Sequence, residues 1–296
     1  MNNNTPPLRT TVLGIGMMGA PMARRLRAAG HEVHAWNCSR EAAEPLAASG
    51  ITVHSDVRDA VAGADVVISL LANGPVVGQV LFERGAAQAL RRDALFIDMA
   101  SIQPREARDH AARLGEMGIA HLDAPVSGGT VGAESGTLAI MAGGRPEDYA
   151  RALAIFAAFG RATHVGPHGA GQLAKLANQM TVGITIGAVA EALLFAAKGG
   201  ADMAKVREAI SGGFADSRIL QLHGQRMVER NFAPQGRMTV QLKDMRNALA
   251  TAGEIGFDAP VTALFEALYA EGVEHGLGEL DHSALFVELA SRNAMQ

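Results

Sequence analysis

Two residues of one long apolar segment have side chains suited to proton transfer and substrate orientation. Lys175 and Asn178 lie in residues 168–200, which the sequence pattern predicts to form one helix. Gly171 precedes them on the same helix face, where the absence of a side chain would leave room for a ligand beside the lysine. Apolar neighbours favour the neutral form of an amine, which can then exchange a proton during turnover. The alternative is that Lys175 extends its charge to solvent and that Gly171 only eases helix packing.

A glycine-rich turn near the start of the chain predicts a nucleotide site. A short β-rich run at residues 10–13 precedes it, and a helical stretch at residues 20–29 follows. The turn consists of Gly14, Ile15, Gly16, Met17, Met18 and Gly19. The first glycine permits a tight turn, the second lets backbone amides reach a pyrophosphate, and the third allows close helix packing. Because the glycines stand between a strand and a helix in the required order, a dinucleotide site is favoured over a plain turn.

The residues after the second predicted strand, residues 32–36, bear on the choice between NAD and NADP. An NAD-preferring site commonly places Asp or Glu there to bind the ribose hydroxyls, and this chain has neither. Asn37 and Ser39 offer hydrogen bonds instead, and Arg40 can pair with a 2′-phosphate. We therefore expect NADP, with NAD as the second choice. The alternative is that Arg40 simply opens a solvated helix over residues 40–49.

Further alternation of strands and helices predicts a mostly parallel sheet. Two of its apolar strands, residues 66–71 and 95–99, end in polar turns. Ligands bind beyond the carboxyl ends of such strands, so Leu71, Asn73 and Ser101 are candidate cofactor contacts. Each of the three can equally serve a turn or a helix cap.

A second glycine-rich turn, made of Ser127, Gly128 and Gly129, follows a short strand that starts near His121. Adjacent glycines free their backbone amides to converge on an anion, and Ser127 adds a hydroxyl donor. A substrate carboxylate is the expected ligand. The same tripeptide also occurs as an ordinary turn.

Composition argues against several classes of function. A net charge of −4 over 296 residues gives no general attraction to nucleic acid. The single cysteine, Cys38, rules out a disulfide within the chain and fits a reducing compartment. Residues 1–10 lack a secretory pattern, and Glu191 interrupts the longest apolar run, so we expect a cytoplasmic protein without a membrane partner. The histidines lack metal-ligand spacing, so no metal is expected.

After a strand at residues 162–165 the pattern becomes helical. We expect a doubly wound, Rossmann-like α/β domain over residues 1–166 and an all-α domain over residues 167–296, linked by the long helix. The helical domain carries so little charge that its apolar faces need partners, which predicts a homo-dimer or homo-tetramer. The predicted helices span residues 168–200, 202–211, 217–230, 238–255, 259–276 and 283–292. Asp281 or Ser283 is expected to cap the last of them.

Taken together, the motifs resemble the β-hydroxyacid dehydrogenase family, which includes 3-hydroxyisobutyrate dehydrogenase and tartronate semialdehyde reductase. The resemblance runs from about residue 10 to residue 293. It rests on the segments VLGIGMMGAPMARRL, IDMASIQP, LDAPVSGGTVGAESGTLAIMAGG, GAGQLAKLANQM and VQLKDMRNAL, in family order and spacing. Five motifs together are far more specific than any one of them.

The resemblance implies how the cofactor is held. It implies that Gly14, Gly16 and Gly19 hold the pyrophosphate and that Ser101 and Lys243 contact the cofactor near the nicotinamide. Without the resemblance, Lys243 would be assigned to a solvated helix face, because charged helix residues usually lie there.

The resemblance also implies the reaction, a reversible hydride transfer between the nicotinamide and a short β-hydroxyacid or its semialdehyde. Ser127, Gly128 and Gly129 would bind the substrate carboxylate, and Asn178 would orient the substrate beside Lys175, the proton-transferring residue. Within the family, the segments KLANQM and LDHSAL favour 2-hydroxy-3-oxopropionate (tartronate semialdehyde) as the substrate.

Two positions depart from the family pattern. Ala72 replaces a proline often found after the fourth strand, and Cys38 stands where NADP-using relatives often carry arginine, which leaves Arg40 as the phosphate partner. Three other functions stay open: a 3-hydroxyisobutyrate dehydrogenase, an imine-reducing relative, and a non-catalytic binding module. Imine-reducing relatives normally lack a lysine at the position of Lys175, and a binding module would tolerate its loss.

Overall fold

The computed structural model describes residues 6–295, and the chain divides into two compact units, Met1–Lys175 and Leu176–Gln296. The division lies inside a long helix, whereas the sequence placed the domain boundary after residue 166. The first turns of that helix pack on strands of the N-terminal unit, as described below. The domain limits stay a prediction, and their outer ends, residues 1–5 and residue 296, lie outside the described residues.

The N-terminal unit is built on a nine-stranded sheet in the described part of the chain. The strands are β1 (Arg9–Leu13), β2 (Glu32–Trp36), β3 (Thr52–His54), β4 (Val66–Ser69), β5 (Leu95–Asp98), β6 (Ala120–Asp123), β7 (Val126–Ser127), β8 (Leu138–Gly144) and β9 (Gly160–Gly166). Strands β3, β2, β1, β4, β5 and β6 lie side by side in that order and are parallel. β8 runs antiparallel to β6 and β7 and parallel to β9. Because the order reverses between β1 and β4, their carboxyl ends form a crevice suited to a ligand.

Helices cover both faces of this sheet. They are α1 (Gly19–Ala28), α2 (Val57–Val61), α3 (Gly74–Gly78), α4 (Ala86–Ala89), α5 (Pro104–Glu116), α6 (Gly129–Ser135) and α7 (Pro146–Ala157). Successive strand residues alternate between two apolar clusters: Ile97 lies in one and Phe96 in the other, and both are buried. A strand that buries both faces is typical of a doubly wound sheet, which confirms the predicted fold.

One predicted helix is wrong. The sequence pattern placed a helix over residues 40–49, but the chain forms two short 3₁₀ segments, Arg40–Ala42 and Glu44–Ser49. Pro45 accounts for the difference, because a proline disfavours the α conformation of the residue before it.

The C-terminal unit is helical. The first residues of α8 (Ala170–Lys198) belong to the N-terminal unit and the rest belong to the C-terminal unit. The later helices are α9 (Met203–Ile210), α10 (Arg218–Glu229), α11 (Met238–Glu254), α12 (Pro260–Gly272) and α13 (Leu285–Arg292). The six predicted helices are therefore confirmed, with small differences at their ends. The largest difference is at α12, where a wider turn over Val273–Leu277 follows and Gly276 leaves the helical conformation with φ 86°.

α8 is long and apolar enough to cross a membrane by length and composition, with a mean hydropathy of 1.8 over its most apolar window. Its middle packs in the core of the C-terminal unit, where Ile186, Ala190 and Leu193 are fully buried. They share one apolar cluster with Leu220 and Phe286. A helix at the centre of a bundle is apolar on most sides for this reason.

Candidate active site

The glycine-rich turn after β1 has the geometry of a nucleotide cradle. Gly14 adopts φ 97°, and a Cβ there would lie 2.7 Å from the carbonyl oxygen of Leu70. A Cβ on Gly19 would collide with the carbonyl oxygen of Gly14, so the first helical turn can pack only if this residue is glycine. At Gly16, by contrast, a Cβ would meet no heavy atom of the described residues within 4 Å. The turn is therefore tight at both ends and open in the middle, which fits a pyrophosphate approaching the backbone.

Asn37 ties the glycine-rich turn to the end of β2. Its side-chain oxygen accepts a hydrogen bond from the amide of Ile15 at 2.9 Å, and its side-chain nitrogen donates to the carbonyl oxygen and hydroxyl of Ser39 at 2.9 and 3.2 Å. Arg40 follows with an exposed side chain whose Nε lies 3.4 Å from Oε1 of Glu44. In the structure Asn37 thus fixes the turn and presents Ser39 and Arg40 at its rim.

The two methionines of the turn and the three residues predicted at the ends of β4 and β5 differ in their surroundings. Met17 is exposed, and Met18 immediately precedes α1. Leu71 is buried, and the side-chain oxygen of Asn73 accepts from the amide of Val76 at 3.0 Å, so Asn73 caps α3. Asn73 therefore serves as a helix cap, and its contact with the cofactor stays a prediction. Ser101 lies half-buried in the segment after β5.

Lys175 stands on the helix whose start is fastened to the end of β6. The carboxylate of Asp123 accepts from the amides of Gly169 at 2.7 Å and of Gln172 at 2.9 Å, which satisfies helix-terminal donors. Burial raises the pKa of Asp123, and the two backbone amides oppose the shift. Lys175 follows one turn later as the last residue of the N-terminal unit, and its side chain is half-buried.

The expectation for Gly171 is wrong. The sequence suggested that its missing side chain leaves room for a ligand beside Lys175. A Cβ at this position would instead collide with the carbonyl oxygens of Asp123 and Met141. Gly171 is therefore required for close packing of α8 on β6 and β8, which was the alternative reading.

The second glycine-rich turn presents backbone to solvent. Ser127 ends β7, Gly128 follows it, and Gly129 is the first residue of α6; both glycines are exposed. A Cβ on Gly129 would meet no heavy atom of the described chain within 4 Å. The turn leaves space for a carboxylate next to its amides, as an anion site requires.

Within the C-terminal unit a chain of side chains joins two of the predicted site residues. Asn178 donates to Oε1 of Gln179 at 2.8 Å, and Gln179 donates to Oδ2 of Asp244 at 2.7 Å. The other oxygen of Asp244 lies 3.2 Å from Nζ of Lys243. Asp244 is buried, and a buried carboxylate needs a partner of opposite charge. The ammonium of Lys243 provides that charge. The sequence treated Asn178 and Lys243 separately, and Gln179 and Asp244 were not singled out.

Asp98, which ends β5, is a second buried acid that the sequence did not single out. Burial raises the pKa of its carboxyl group to about 7, although the amide of Ala100, which donates to Oδ1 at 3.1 Å, opposes the shift. Its register partner on β6 is Asp123, whose charge also raises the pKa. Both acids are the last residue of an apolar strand, a signal that was readable in the sequence.

One cluster away from these residues has the composition of a metal site. Potential ligand atoms of His223, Asp281 and His282 lie within 4.8 Å of one another. Both oxygens of Asp281 already accept hydrogen bonds, among them one from the amide of Ser283 at 3.1 Å, and Nε of Arg226 lies 3.7 Å from Oδ1. A bound cation would face the guanidinium. We therefore interpret the cluster as a network that stabilises the fold. The predicted helix cap at Asp281 is confirmed.

Two family models match consecutive parts of the chain. Residues 9–167 match the NAD binding domain of 6-phosphogluconate dehydrogenase, and residues 169–289 match the NAD-binding domain of NADP-dependent 3-hydroxyisobutyrate dehydrogenase. The similarity confirms that the chain has NAD(P)-binding domains, and the residues that hold the cofactor stay a prediction. It supports NAD or NADP without distinguishing them.

Named relatives cover almost the whole chain. The 2-hydroxy-3-oxopropionate reductase of Escherichia coli (strain K12) is 41% identical over 92% of this chain and 94% of its own. The 3-hydroxyisobutyrate dehydrogenase of Pseudomonas aeruginosa is 34% identical over 92% of this chain and 94% of its own. Among solved structures, Mycobacterium tuberculosis 3-hydroxyisobutyrate dehydrogenase with L-serine has a TM-score of 0.89, 32% identity, and coverage of 96% of this chain and 99% of that one.

A more distant similarity concerns the fold alone. An imine reductase from Pseudomonas sp. has a TM-score of 0.65 and 19% identity. The relatives at 30% identity or more include named dehydrogenases and reductases of hydroxyacids. The protein is thus an NAD(P)-dependent oxidoreductase of hydroxyacids, as the motifs predicted, and the chain belongs to the β-hydroxyacid dehydrogenase family.

Proposed function

We propose that the enzyme reduces 2-hydroxy-3-oxopropionate to glycerate and that it prefers NADP(H). The observation that carries this proposal is the 41% identity, over 92% of the chain, with a 2-hydroxy-3-oxopropionate reductase. The reaction adds a hydride to the aldehyde carbon and a proton to its oxygen. NADP(H), when bound, supplies that hydride.

The chain's own residues hold the cofactor at the carboxyl ends of β1, β4 and β5. The backbone of the first glycine-rich turn binds the pyrophosphate, and Arg40 binds the 2′-phosphate with Asn37 and Ser39 beside it. The exposed pair between Arg40 and Glu44 contributes little, so it does not compete with a phosphate. The contacts we assign are Gly14, Ile15, Gly16, Met17, Met18, Gly19, Asn37, Ser39, Arg40, Leu71, Asn73, Ser101 and Lys243.

Lys175 moves the proton. Its ammonium donates to the developing alkoxide oxygen during reduction, and its amine accepts the proton of the hydroxyl group during oxidation. Ser127, Gly128 and Gly129 hold the substrate carboxylate, and Asn178 orients the reacting end. The fastening of α8 to Asp123 supports this assignment, because a general acid must be held in place to act.

A second candidate function is oxidation of 3-hydroxyisobutyrate or L-serine. A 3-hydroxyisobutyrate dehydrogenase and an NAD-dependent L-serine dehydrogenase of Pseudomonas aeruginosa are both 34% identical to this chain. These substrates differ from glycerate, the product of the proposed reduction, at the group on the second carbon. A pocket that hydrogen-bonds a hydroxyl group there rejects a methyl group strongly, whereas an apolar pocket discriminates weakly.

A spectrophotometric panel tests the proposal. Purified enzyme is mixed with NADPH or NADH and with 2-hydroxy-3-oxopropionate or methylmalonate semialdehyde, and the reverse direction is run with glycerate, 3-hydroxyisobutyrate and L-serine. We expect the highest kcat/KM for 2-hydroxy-3-oxopropionate with NADPH. A higher value for 3-hydroxyisobutyrate or L-serine would favour the second candidate, and turnover of none of the five would contradict both.

We also propose that the enzyme is a cytoplasmic homo-oligomer, a dimer or a tetramer. The C-terminal unit leaves large apolar side chains exposed, among them Phe195, Phe214, Phe257 and Leu264. Contiguous exposed apolar surface is typical of subunit interfaces. Light scattering coupled to size-exclusion chromatography measures the mass directly, and a value near 30.8 kDa would contradict the proposal.

A further inference from the structure

The segment after β5 is held by side chains as well as by the sheet. It comprises residues 100–102 and carries Ser101. The amide of Ala100 donates to Oδ1 of Asp98 at 3.1 Å. The carbonyl oxygen of Ala100 accepts from Nε2 of Gln172 at 2.8 Å, and the amide of Ile102 donates to Oε1 of Gln172 at 3.1 Å. The side-chain amide of Gln172 therefore hydrogen-bonds the backbone on both sides of Ser101.

Gln172 is fully buried, and its own backbone is fixed as well. Its amide donates to Oδ2 of Asp123 at 2.9 Å, which anchors it at the end of β6. Glutamine is suited to this position because its planar end group donates and accepts at once. Buried polar groups without partners are costly, so losing either bond would loosen the segment.

The same residue belongs to the first turns of α8. Lys175 follows Gln172 by three residues, which makes the two neighbours on the helix surface. The two bonds from Gln172 to residues 100–102, called here the Gln172 tether, therefore join the loop of Ser101 to the helix turn next to Lys175. All of these residues lie in the N-terminal unit.

We propose that Gln172 is a positioning residue for hydride transfer: its tether sets the place of the Ser101 segment relative to the helix that carries Lys175. This inference rests on the proposed function, in which Ser101 contacts the cofactor and Lys175 moves the proton. Reacting groups must meet within a few tenths of an ångström, and a displacement of about 1 Å can cost about 100-fold in rate. Gln172 itself touches neither substrate nor cofactor in this scheme.

Two variants separate the two bonds of the tether. Gln172→Met keeps the length of the side chain and loses both bonds. Gln172→Glu keeps an acceptor for the amide of Ile102 and, at a pH above the pKa of the introduced carboxyl group, loses the donor to the carbonyl oxygen of Ala100. Gln225→Met is the matched control, because this glutamine lies in the C-terminal unit and its side-chain nitrogen donates to the side chain of Glu229, one turn further along the same helix.

Hydrogen exchange of the enzyme without ligand tests the tether itself. In Gln172→Met we expect the amide of Ile102 to exchange about tenfold faster, since one hydrogen bond is lost. In Gln172→Glu and in Gln225→Met we expect protection of Ile102 to stay at the wild-type level. Wild-type protection of Ile102 in Gln172→Met would overturn the inference, whether or not the enzyme accepts the proposed substrate.

Kinetics and binding then test the positioning role. We expect kcat to fall about 10-fold to 100-fold in both Gln172 variants, while the Kd for NADPH changes less than about 3-fold. The primary isotope effect with deuterated NADPH should rise, because hydride transfer becomes the slow step. A loss of activity that merely follows the loss of folded protein, with the isotope effect unchanged, would overturn the inference. If Gln172→Met does not fold, Gln172→Glu carries the test, and wild-type kcat in it is the contradicting result.

A wild-type enzyme that turns over none of the panel substrates would refute the proposed function and not the tether. The exchange result would still decide whether Gln172 holds residues 100–102 in place. The failure of one proposal can therefore be told from the failure of the other.

Discussion

Four buried acids, two in each unit, are held in two different ways. In the N-terminal unit, Asp98 and Asp123 end neighbouring strands and accept hydrogen bonds from backbone amides, and burial raises the pKa of both. In the C-terminal unit, Asp244 lies 3.2 Å from the ammonium of Lys243. Asp281 is likewise close to a cation, the guanidinium of Arg226.

Asp281 shows what partners change. Burial alone would raise its pKa, but the nearby His223 ring and hydrogen bonds from Ser283 and the amide of Gly236 hold the pKa well below its ordinary value. Asp98 is equally buried and has its pKa raised to about 7. Burial therefore decides the charge of an acid only when few donors and no cation face it. Its partners thus hold Asp281 in the charged form, whereas burial raises the pKa of Asp98 and Asp123 beside the proposed site.

The largest effect is expected at the lysine that we propose moves a proton. Lys175→Ala should lower kcat about 10³-fold to 10⁴-fold, because it removes the general acid, while the Kd for NADPH changes little. Steady-state rates and fluorescence titration with NADPH measure the two quantities. Lys205→Ala, at an exposed position of α9, is the control and should keep wild-type rates. Turnover within tenfold of wild type in Lys175→Ala would contradict the assignment.

The largest loss of stability is expected when the buried carboxylate of Asp281 is removed. Asp281→Ala removes the negative charge beside the guanidinium of Arg226 and leaves the amides of Gln235, Gly236 and Ser283 without their acceptor. We expect the free energy of unfolding to fall by about 3–5 kcal/mol in chemical denaturation. Asp202→Ala removes an exposed helix cap in the same unit and should cost only about 1 kcal/mol. Equal losses in the two variants would show that the buried cluster is no stronger than a surface cap.

The raised pKa of Asp98 should make the free energy of unfolding depend on pH. Because the pKa of Asp98 rises from 3.8 to about 7 on folding, its contribution to stability is present below pH 4 and is lost as the pH rises to 7. Asp98→Asn stays neutral, so its stability relative to wild type should increase by roughly 3 kcal/mol between pH 4 and pH 7.

Denaturant unfolding at several pH values measures this difference. Asp59→Asn, at an exposed position of α2, serves as the control and should follow the wild-type curve. A constant difference between Asp98→Asn and wild type across the range would mean that Asp98 is charged when buried, and the contrast with Asp281 would disappear.

The smallest effect concerns an exposed charge. Arg40→Ser should reduce the preference for NADPH over NADH by about tenfold, since one charge-assisted hydrogen bond to the 2′-phosphate is lost. Stability should stay unchanged, because the pair with Glu44 is exposed. Arg161→Ser, on an exposed position of β9, is the control. An unchanged ratio of kcat/KM values in Arg40→Ser would assign the phosphate to another residue.

Local patterns in the sequence were enough for the fold and for the first glycine-rich turn. Strand, turn and helix follow each other within residues 9–28, so the role of each glycine could be predicted from spacing alone. Gly171 was misjudged because the carbonyl oxygens it must clear, on β6 and β8, are distant in sequence. Gln172 was missed for the same reason, since its two partners lie about 70 residues earlier along the chain. Sequence spacing therefore predicts roles that depend on neighbouring residues of one segment. It does not predict roles that depend on contacts between residues far apart in the sequence.

The most direct test of the central claim is a crystal structure of the enzyme with NADP⁺ and glycerate. The account predicts that Nζ of Lys175 lies about 3 Å from the hydroxyl group on the third carbon of glycerate. A lysine nitrogen directed into bulk solvent, with a different side chain hydrogen-bonded to that hydroxyl group, would contradict it.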